Sequence, residues 1–244
     1  MTSGNPVRIG GDPVFLPGMP RHLHAVAAGR ERPSPELLAE ADALEAQAER
    51  DAVEDMRARQ QAFRDRAWAE TRPAKFRRAT LDGLEGHQDP RGVVRGWLGS
   101  PSATLVLHGP PRRGKSHTAF AVGQAARQDG MWVAGYTAKT LLDFLRPSQM
   151  DPARPERTRM MVTDSDLLIL DELGAEKIDT EFAVAELTDV IDARIRDGRR
   201  LVVTTNLDDV AMVGRYGDRI VYRLIELATI VKVTGPVMKP LPLF

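Results

Sequence analysis

The sequence predicts an α/β domain built on a parallel sheet with helices on both faces. Three observations carry this. Short apolar runs recur at Thr104–His108, Met131–Tyr136, Asp166–Asp171, Arg200–Thr205 and Thr229–Val233, each of strand length. Between them lie stretches of helical period at Lys115–Gln128, Lys139–Leu145, Thr180–Arg196 and Gly217–Leu227. The chain has 244 residues, 42% hydrophobic and 28% charged, enough for one well-buried domain and an appendage. No internal repeat interrupts the order. One segment does: RPSQMDPARPERTRM, residues 146 to 160, rich in proline and arginine, is expected to be a mobile insertion.

The appendage precedes the sheet. Residues 1 to 33 carry glycine and proline without periodicity and are expected to form a flexible tail. From Ser34 as N-cap and Pro35 at the first helical position, one helix is expected to run to Glu70, with Pro73 beyond its end. Acidic residues crowd its first half and arginines its second, as the helix dipole favours. Its apolar stripe, Leu37, Ala41, Leu44, Ala48, Ala52, Met56, Phe63 and Ala67, is thin. Two readings stay open: a solvated helix along the main domain, or an arm that docks on a partner or a coiled coil. The expected division is therefore tail 1–33, helical arm 34–72 and α/β domain 73–244.

Composition excludes several classes of function. Without cysteine there is no disulfide, thiolate zinc site or cysteine nucleophile. His22, His24, His87, His108 and His117 lack metal-ligand spacing. Net charge is zero, so any attraction for nucleic acid must be local. No apolar run reaches membrane-spanning length and the N-terminus lacks a signal core, so no membrane partner and a cytoplasmic location are expected.

The chemistry starts at the end of the first strand. Gly109-Pro110-Pro111-Arg112-Arg113-Gly114-Lys115-Ser116, followed by His117, matches G-x-x-x-x-G-K-[ST], the Walker A pattern. A strand before it and a helix after it are the geometry in which loop amides and a helix N-terminus converge on phosphates. Lys115 would reach the β- and γ-phosphates and Ser116 would bind Mg²⁺. Arg112 and Arg113 occupy free positions of the pattern; they add charge near the nucleotide, or meet a neighbouring subunit or DNA. Asp166–Asp171 followed by Glu172 has the Walker B form, with Asp171 toward Mg²⁺ and Glu172 toward the attacking water. Asn206, after Arg200–Thr205, either positions that water or merely ends a strand. No N-K-x-D guanine signature is present, which favours ATP. Arg219 and Arg223 share one helix face, and pair either with Asp218 or Glu226 or with a neighbouring molecule's nucleotide.

In this order and spacing these elements resemble the AAA+ ATPases, and more narrowly the DnaC/IstB-like helicase loaders, over about residues 73 to 235. RPAKFRRATLDGL resembles the segment leading into the first strand, LLILDELGAEK the Walker B region, VVTTNL the sensor 1 strand, and DRIVYRL the box VII helix shared with DnaA initiators. The resemblance implies a P-loop NTPase fold with a five-stranded sheet in the order 5-1-4-3-2, and Arg223 as arginine finger with Arg219 beside it. It also implies ATP-dependent self-assembly with a hexameric replicative DNA helicase, which the loader helps to place on single-stranded DNA. Arg154, Arg157 and Arg159 fall where initiators face DNA; they contact phosphates or lie in a solvated loop. Three departures stand out. No cysteine is available for a zinc-binding helicase contact, which leaves the N-terminal helix as the candidate. VTGPVMKPLPLF has no sensor 2 arginine, only Lys239, and implies a reduced or absent C-terminal lid. Arg112 and Arg113 are unusual in the phosphate loop, so slow or partner-stimulated hydrolysis is expected. Two other functions remain: an IstB-like transposition helper assembling on duplex DNA, and an ATP-binding adaptor with little turnover.

Overall fold

The computed structural model describes residues 35–176 and 181–237. The tail with His22 and His24, the Ser34 cap, the side chain of Leu37, Thr180 and Lys239 lie outside the described residues. Helix α1, Pro35–Thr71, runs one residue beyond its expected end. By compactness the chain divides after Gln61, so the helix's last ten residues belong to the α/β domain.

In the first unit, α1 is exposed at Leu38, Leu44, Val53 and Met56. The thin stripe forms no core there. In the second unit the end of α1 packs as part of the domain. Ala67 and Trp68 are each 3% exposed, and Trp68 donates its indole N–H to Gln124 Oε1 at 3.2 Å. Arg72 donates to the same oxygen at 2.8 Å, and Asp65 pairs with Arg127 at 2.6 Å. A Cβ on Gly123 would stand 2.8 Å from the Trp68 ring, so the absence of a side chain there lets the indole in.

The sheet consists of β1 (Thr104–His108), β2 (Val133–Thr137), β3 (Leu167–Leu173), β4 (Arg200–Thr205) and β5 (Thr229–Lys232). All pairings are parallel, in the order β2-β3-β4-β1-β5. This is the expected 5-1-4-3-2 order read from the other edge. Alternation along β3 assigns Leu168 and Leu170 to one core, Leu167 and Ile169 to the other. One face carries α2 (Val93–Trp97), α3 (Lys115–Gln128) and the end of α1. The opposite face carries α4 (Ala138–Leu145), α5 (Arg154–Asp164), α6 (Glu181–Arg196), α7 (Asp209–Tyr216) and α8 (Asp218–Ile225).

Several expectations are corrected. The segment 146–160 is not simply a loop: from Arg154 it is helix α5, with a proline in the first turn, and it buries Thr158 and Val162 one turn apart. Its arginine-rich composition hides those two anchors. Strand β2 starts at Val133 rather than Met131, β3 begins at Leu167 and continues to Leu173, and β5 ends at Lys232. Helix α4 starts at Ala138, capped by the Thr137 hydroxyl, and α8 spans Asp218–Ile225 rather than Gly217–Leu227. Helices α2 and α7 are additional; α7 is capped by Asp208, which accepts from the Ala211 amide at 2.8 Å.

Two buried or half-buried arginines brace the sheet. Arg194 is fully buried and donates to the carbonyls of Val162, Ser165, Asp166 and Arg200, tying α5 to the starts of β3 and β4. Arg200 stacks over Trp97 at 5.0 Å and donates to the carbonyls of Leu98 and Ser100. Together they hold the strand origins, and the strand tips are left to carry chemistry.

Candidate nucleotide site

A cleft of about 810 Å³ opens at the C-terminal ends of β1, β3 and β4. In an open parallel sheet this is where ligands bind. The phosphate-loop pattern lies between β1 and α3. Gly109 has φ 137°, and a Cβ there would meet the Val233 carbonyl oxygen at 2.5 Å, so the loop passes the residue after β5 only as glycine. Gly114, at φ 92°, turns the chain into α3. The first-turn amides of α3 have no partner within the helix, which leaves them available to an anion at the loop.

Lys115 is buried, and its ammonium donates to the carbonyls of Gly109 at 2.8 Å and Pro110 at 2.7 Å. Burial pushes its pKa below the ordinary lysine value, while Asp171 and Glu172 act in the opposite direction. Ser116 and His117 line the cleft, and burial lowers the His117 pKa. Pro111 and Arg112 line it too, Arg112 in a left-handed conformation at φ 59°. The two arginines diverge: Arg113 turns to the Gly235 carbonyl, tying the loop to the segment after β5.

On β3 the register slips between Leu170 and Leu173: Leu170 pairs with Val203, but Leu173 with Thr205. The extra residue makes a bulge containing the two carboxylates. Asp171 is 2% exposed, whereas Glu172 is exposed into the cleft and held at φ 58°, a region a non-glycine residue enters only at a cost. The Thr204 hydroxyl fixes both, donating to Asp171 Oδ1 at 2.6 Å and accepting from the Glu172 amide at 2.9 Å. Sequence reasoning missed Thr204; its only signal was a hydroxyl residue opposite the carboxylates. Thr204→Val keeps the shape and removes both bonds, so hydrolysis is expected to fall roughly tenfold with nucleotide affinity retained. Steady-state phosphate release beside equilibrium nucleotide binding measures the two separately.

Asn206, at the tip of β4, is exposed and lines the cleft with Glu172 and Thr205. Arg219 and Arg223 do not line it. Their partner is Asp192 on α6, at 2.9 Å from Arg223 and 3.7 Å from Arg219, rather than Asp218 or Glu226 as the surface alternative had it. Arg154, Arg157 and Arg159 are engaged within the fold: Arg154 lies over Phe144 at 5.3 Å, Arg157 pairs with Asp151 at 2.5 Å, and Arg159 with Glu186 at 2.9 Å. Sequence reasoning also missed residues 74–79, which line the cleft, and the buried Glu176, which Tyr216 and Arg215 of α7 hold.

The residues fit the groups that the pattern implies. The glycine cradle and Lys115 suit a phosphate chain. Ser116 and Asp171 offer one hydroxyl and one carboxylate, the sparse protein share typical of Mg²⁺ on nucleotide phosphates. Among the described residues no helix is long and apolar enough to cross a membrane.

Comparison with known proteins agrees with this geometry. Residues 97–239 match the family model of IstB-like ATP binding proteins. The Escherichia coli (strain K12) protein YdaV, itself uncharacterized, is 32% identical over 120 residues, which are 49% of this chain and 48% of YdaV. The replicative helicase loader DnaC of Buchnera aphidicola subsp. Baizongia pistaciae (strain Bp) is 25% identical over 124 residues, 50% of each chain. The chain thus spans about half the length of the curated relatives it matches. Among solved structures, the DnaC helicase loader superposes with a TM-score of 0.59 at 21% identity, covering 66% of this chain and 100% of that one. DnaI gives a TM-score of 0.57 at 20% identity, covering 68% and 93%. The family match over more than half the chain, the strand order and the cleft at the strand tips lead to one conclusion: this chain belongs to the IstB-like ATP-binding proteins, within the DnaC/IstB-like group of the AAA+ family.

Proposed function

We propose that this protein is an ATPase that assembles, in an ATP-dependent manner, with a hexameric replicative DNA helicase and helps to place it on single-stranded DNA. The observation that carries the enzymatic part is one cleft holding Lys115, Ser116, Glu172 and Asn206, with the buried Asp171 behind Thr204. Lys115 exchanges its loop carbonyls for the β- and γ-phosphates of ATP. Ser116 and Asp171 hold Mg²⁺, which neutralises charge on those phosphates when bound. Glu172 accepts the proton of the attacking water, and Asn206 orients that water against the γ-phosphate. Arg223, turned away from its own cleft, serves the nucleotide of a neighbouring copy.

Support for the helicase part is the likeness to a replicative helicase loader of Buchnera over half its length. The exposed part of α1 is the proposed docking element, since no cysteine is available for a zinc-bound contact. Contact with DNA through Arg154, Arg157 and Arg159 requires exchange of their present partners for phosphates. A second reading, a transposition helper that assembles on duplex DNA, is favoured by the IstB-like family match itself.

Native mass spectrometry of the chain mixed with the replicative helicase of its own organism, with and without ATP, separates the two. A defined complex of helicase hexamer and several copies of this chain is the expected result, weakened when residues 1–61, the part of the chain outside the α/β domain, are removed. Absence of a complex, together with ATP-driven assembly on duplex DNA, would overturn the loader reading in favour of the transposition helper.

A further inference from the structure

Many arginines of the α/β domain have a carboxylate partner, among them Arg95 with Asp89, Arg127 with Asp65, Arg199 with Asp166 and Arg223 with Asp192. Arg77 and Arg78 do not. They follow the single 3₁₀ turn Ala74–Phe76, which begins right after α1 and Pro73. Phe76 stacks on Phe120 with ring centroids 4.8 Å apart and planes 13° from parallel, and Ala79 is 1% exposed. The Ala79 amide donates to the Phe76 carbonyl at 3.1 Å, closing a turn between the two buried anchors. The residues between them must face outward. Both are exposed, and both line the cleft that holds Lys115, Glu172 and Asn206.

Among the described residues, neither guanidinium is hydrogen-bonded to a protein group or paired with a carboxylate. Lys75 and Arg112 line the same cleft, against the carboxylate of Glu172. Cations outnumber carboxylates in this lining, and Arg77 is among the causes that lower the Arg72 pKa. Two guanidinium groups without an internal partner, lining a cleft that carries a phosphate loop, are available to an anion from outside.

We propose that Arg77 and Arg78 bind the terminal phosphate of ATP from within the same chain, so that the cleft distinguishes ATP from ADP. This rests on the nucleotide-site reading above and adds a specificity element to it. The loop amides and Lys115 serve the phosphates nearest the loop. The strand tips with Glu172 and Asn206 mark where the terminal phosphate would be attacked, and residues 74–79 line the same cleft as those tips.

The test is calorimetric titration of the full chain with Mg²⁺ and either ADP or a non-hydrolysable ATP analogue. Replacing both residues, Arg77→Ala with Arg78→Ala, is expected to weaken the ATP analogue roughly 10- to 100-fold, as expected for lost charge-assisted hydrogen bonds, and to leave ADP affinity unchanged. The conservative pair Arg77→Lys with Arg78→Lys should recover part of the loss. In the wild type, amide exchange of residues 74–79 should slow with the analogue and not with ADP. Equal loss for both nucleotides, or no loss for either, overturns the assignment while leaving the nucleotide site intact. If the wild type binds neither nucleotide, the site reading falls and this proposal with it.

Discussion

Glu172→Gln is expected to lower ATP hydrolysis by at least about 100-fold and to leave ATP affinity close to that of the wild type. The two carboxylates of the bulge face different tasks because the backbone separates them. Asp171 points into the sheet, buried and hydrogen-bonded to Thr204. Glu172 is carried out of the sheet by its left-handed backbone and reaches the cleft instead. Holding a glutamate there costs about 1–3 kcal/mol, and its exposed side chain contributes no core packing to offset that. A strained, solvent-facing carboxylate beside a phosphate loop is best explained by what it does to water. Glutamine preserves size and hydrogen bonding but cannot take a proton. Single-turnover hydrolysis measured beside equilibrium binding of a fluorescent ATP analogue separates the two effects. Hydrolysis at the wild-type rate would remove Glu172 as the base. Loss of binding would instead give it a role in holding Mg²⁺.

How far was this site legible before the structure? The phosphate loop was, because G-x-x-x-x-G-K-S constrains backbone and charge in one contiguous stretch: Gly109 has no room for a Cβ, and Gly114 takes a left-handed backbone. The sheet was legible because strands buried on both faces read as unbroken apolar runs. What escaped were features without a contiguous signature. Thr204 matters only because a register slip on β3 sets its hydroxyl between Asp171 and the Glu172 amide. Arg77 and Arg78 look like ordinary surface cations until Phe76 and Ala79 are seen to be buried on either side of them.

The helical surprises have a similar origin. Helix α5 rests on Thr158 and Val162 within a run of charged residues, too few apolar positions for periodicity to register. The expected arm runs to residue 72 because Pro73 ends the helix there; the burial of Trp68 depends on Gly123 of α3, a relation that distance along the chain conceals. Arginines were hardest of all. Arg194, Arg200 and Arg223 are indistinguishable by composition, yet one is a buried strut, one braces a loop and one pairs at the surface.

Arg223→Ala is expected to reduce hydrolysis about 10³-fold in the assembled protein while leaving nucleotide affinity of the single chain unchanged. The residue lies on α8, paired with Asp192 and outside its own cleft, so in one copy it has no route to the nucleotide. Any effect on hydrolysis would therefore have to be exerted on a neighbour. Arg219 is more exposed and stands farther from Asp192, at 3.7 Å, and Arg219→Ala should cost less. Mixing variants gives the decisive measurement. Glu172→Gln chains lack the base but keep Arg223; Arg223→Ala chains keep the base but lack the arginine. Each is inactive alone, yet at an interface where the first presents Arg223 to the cleft of the second, a complete site is restored. Recovered hydrolysis in the mixture requires that one site draw residues from two chains. A mixture as inactive as its parts, or an Arg223→Ala variant with full activity, would leave the Asp192 pair as the whole of what Arg223 does.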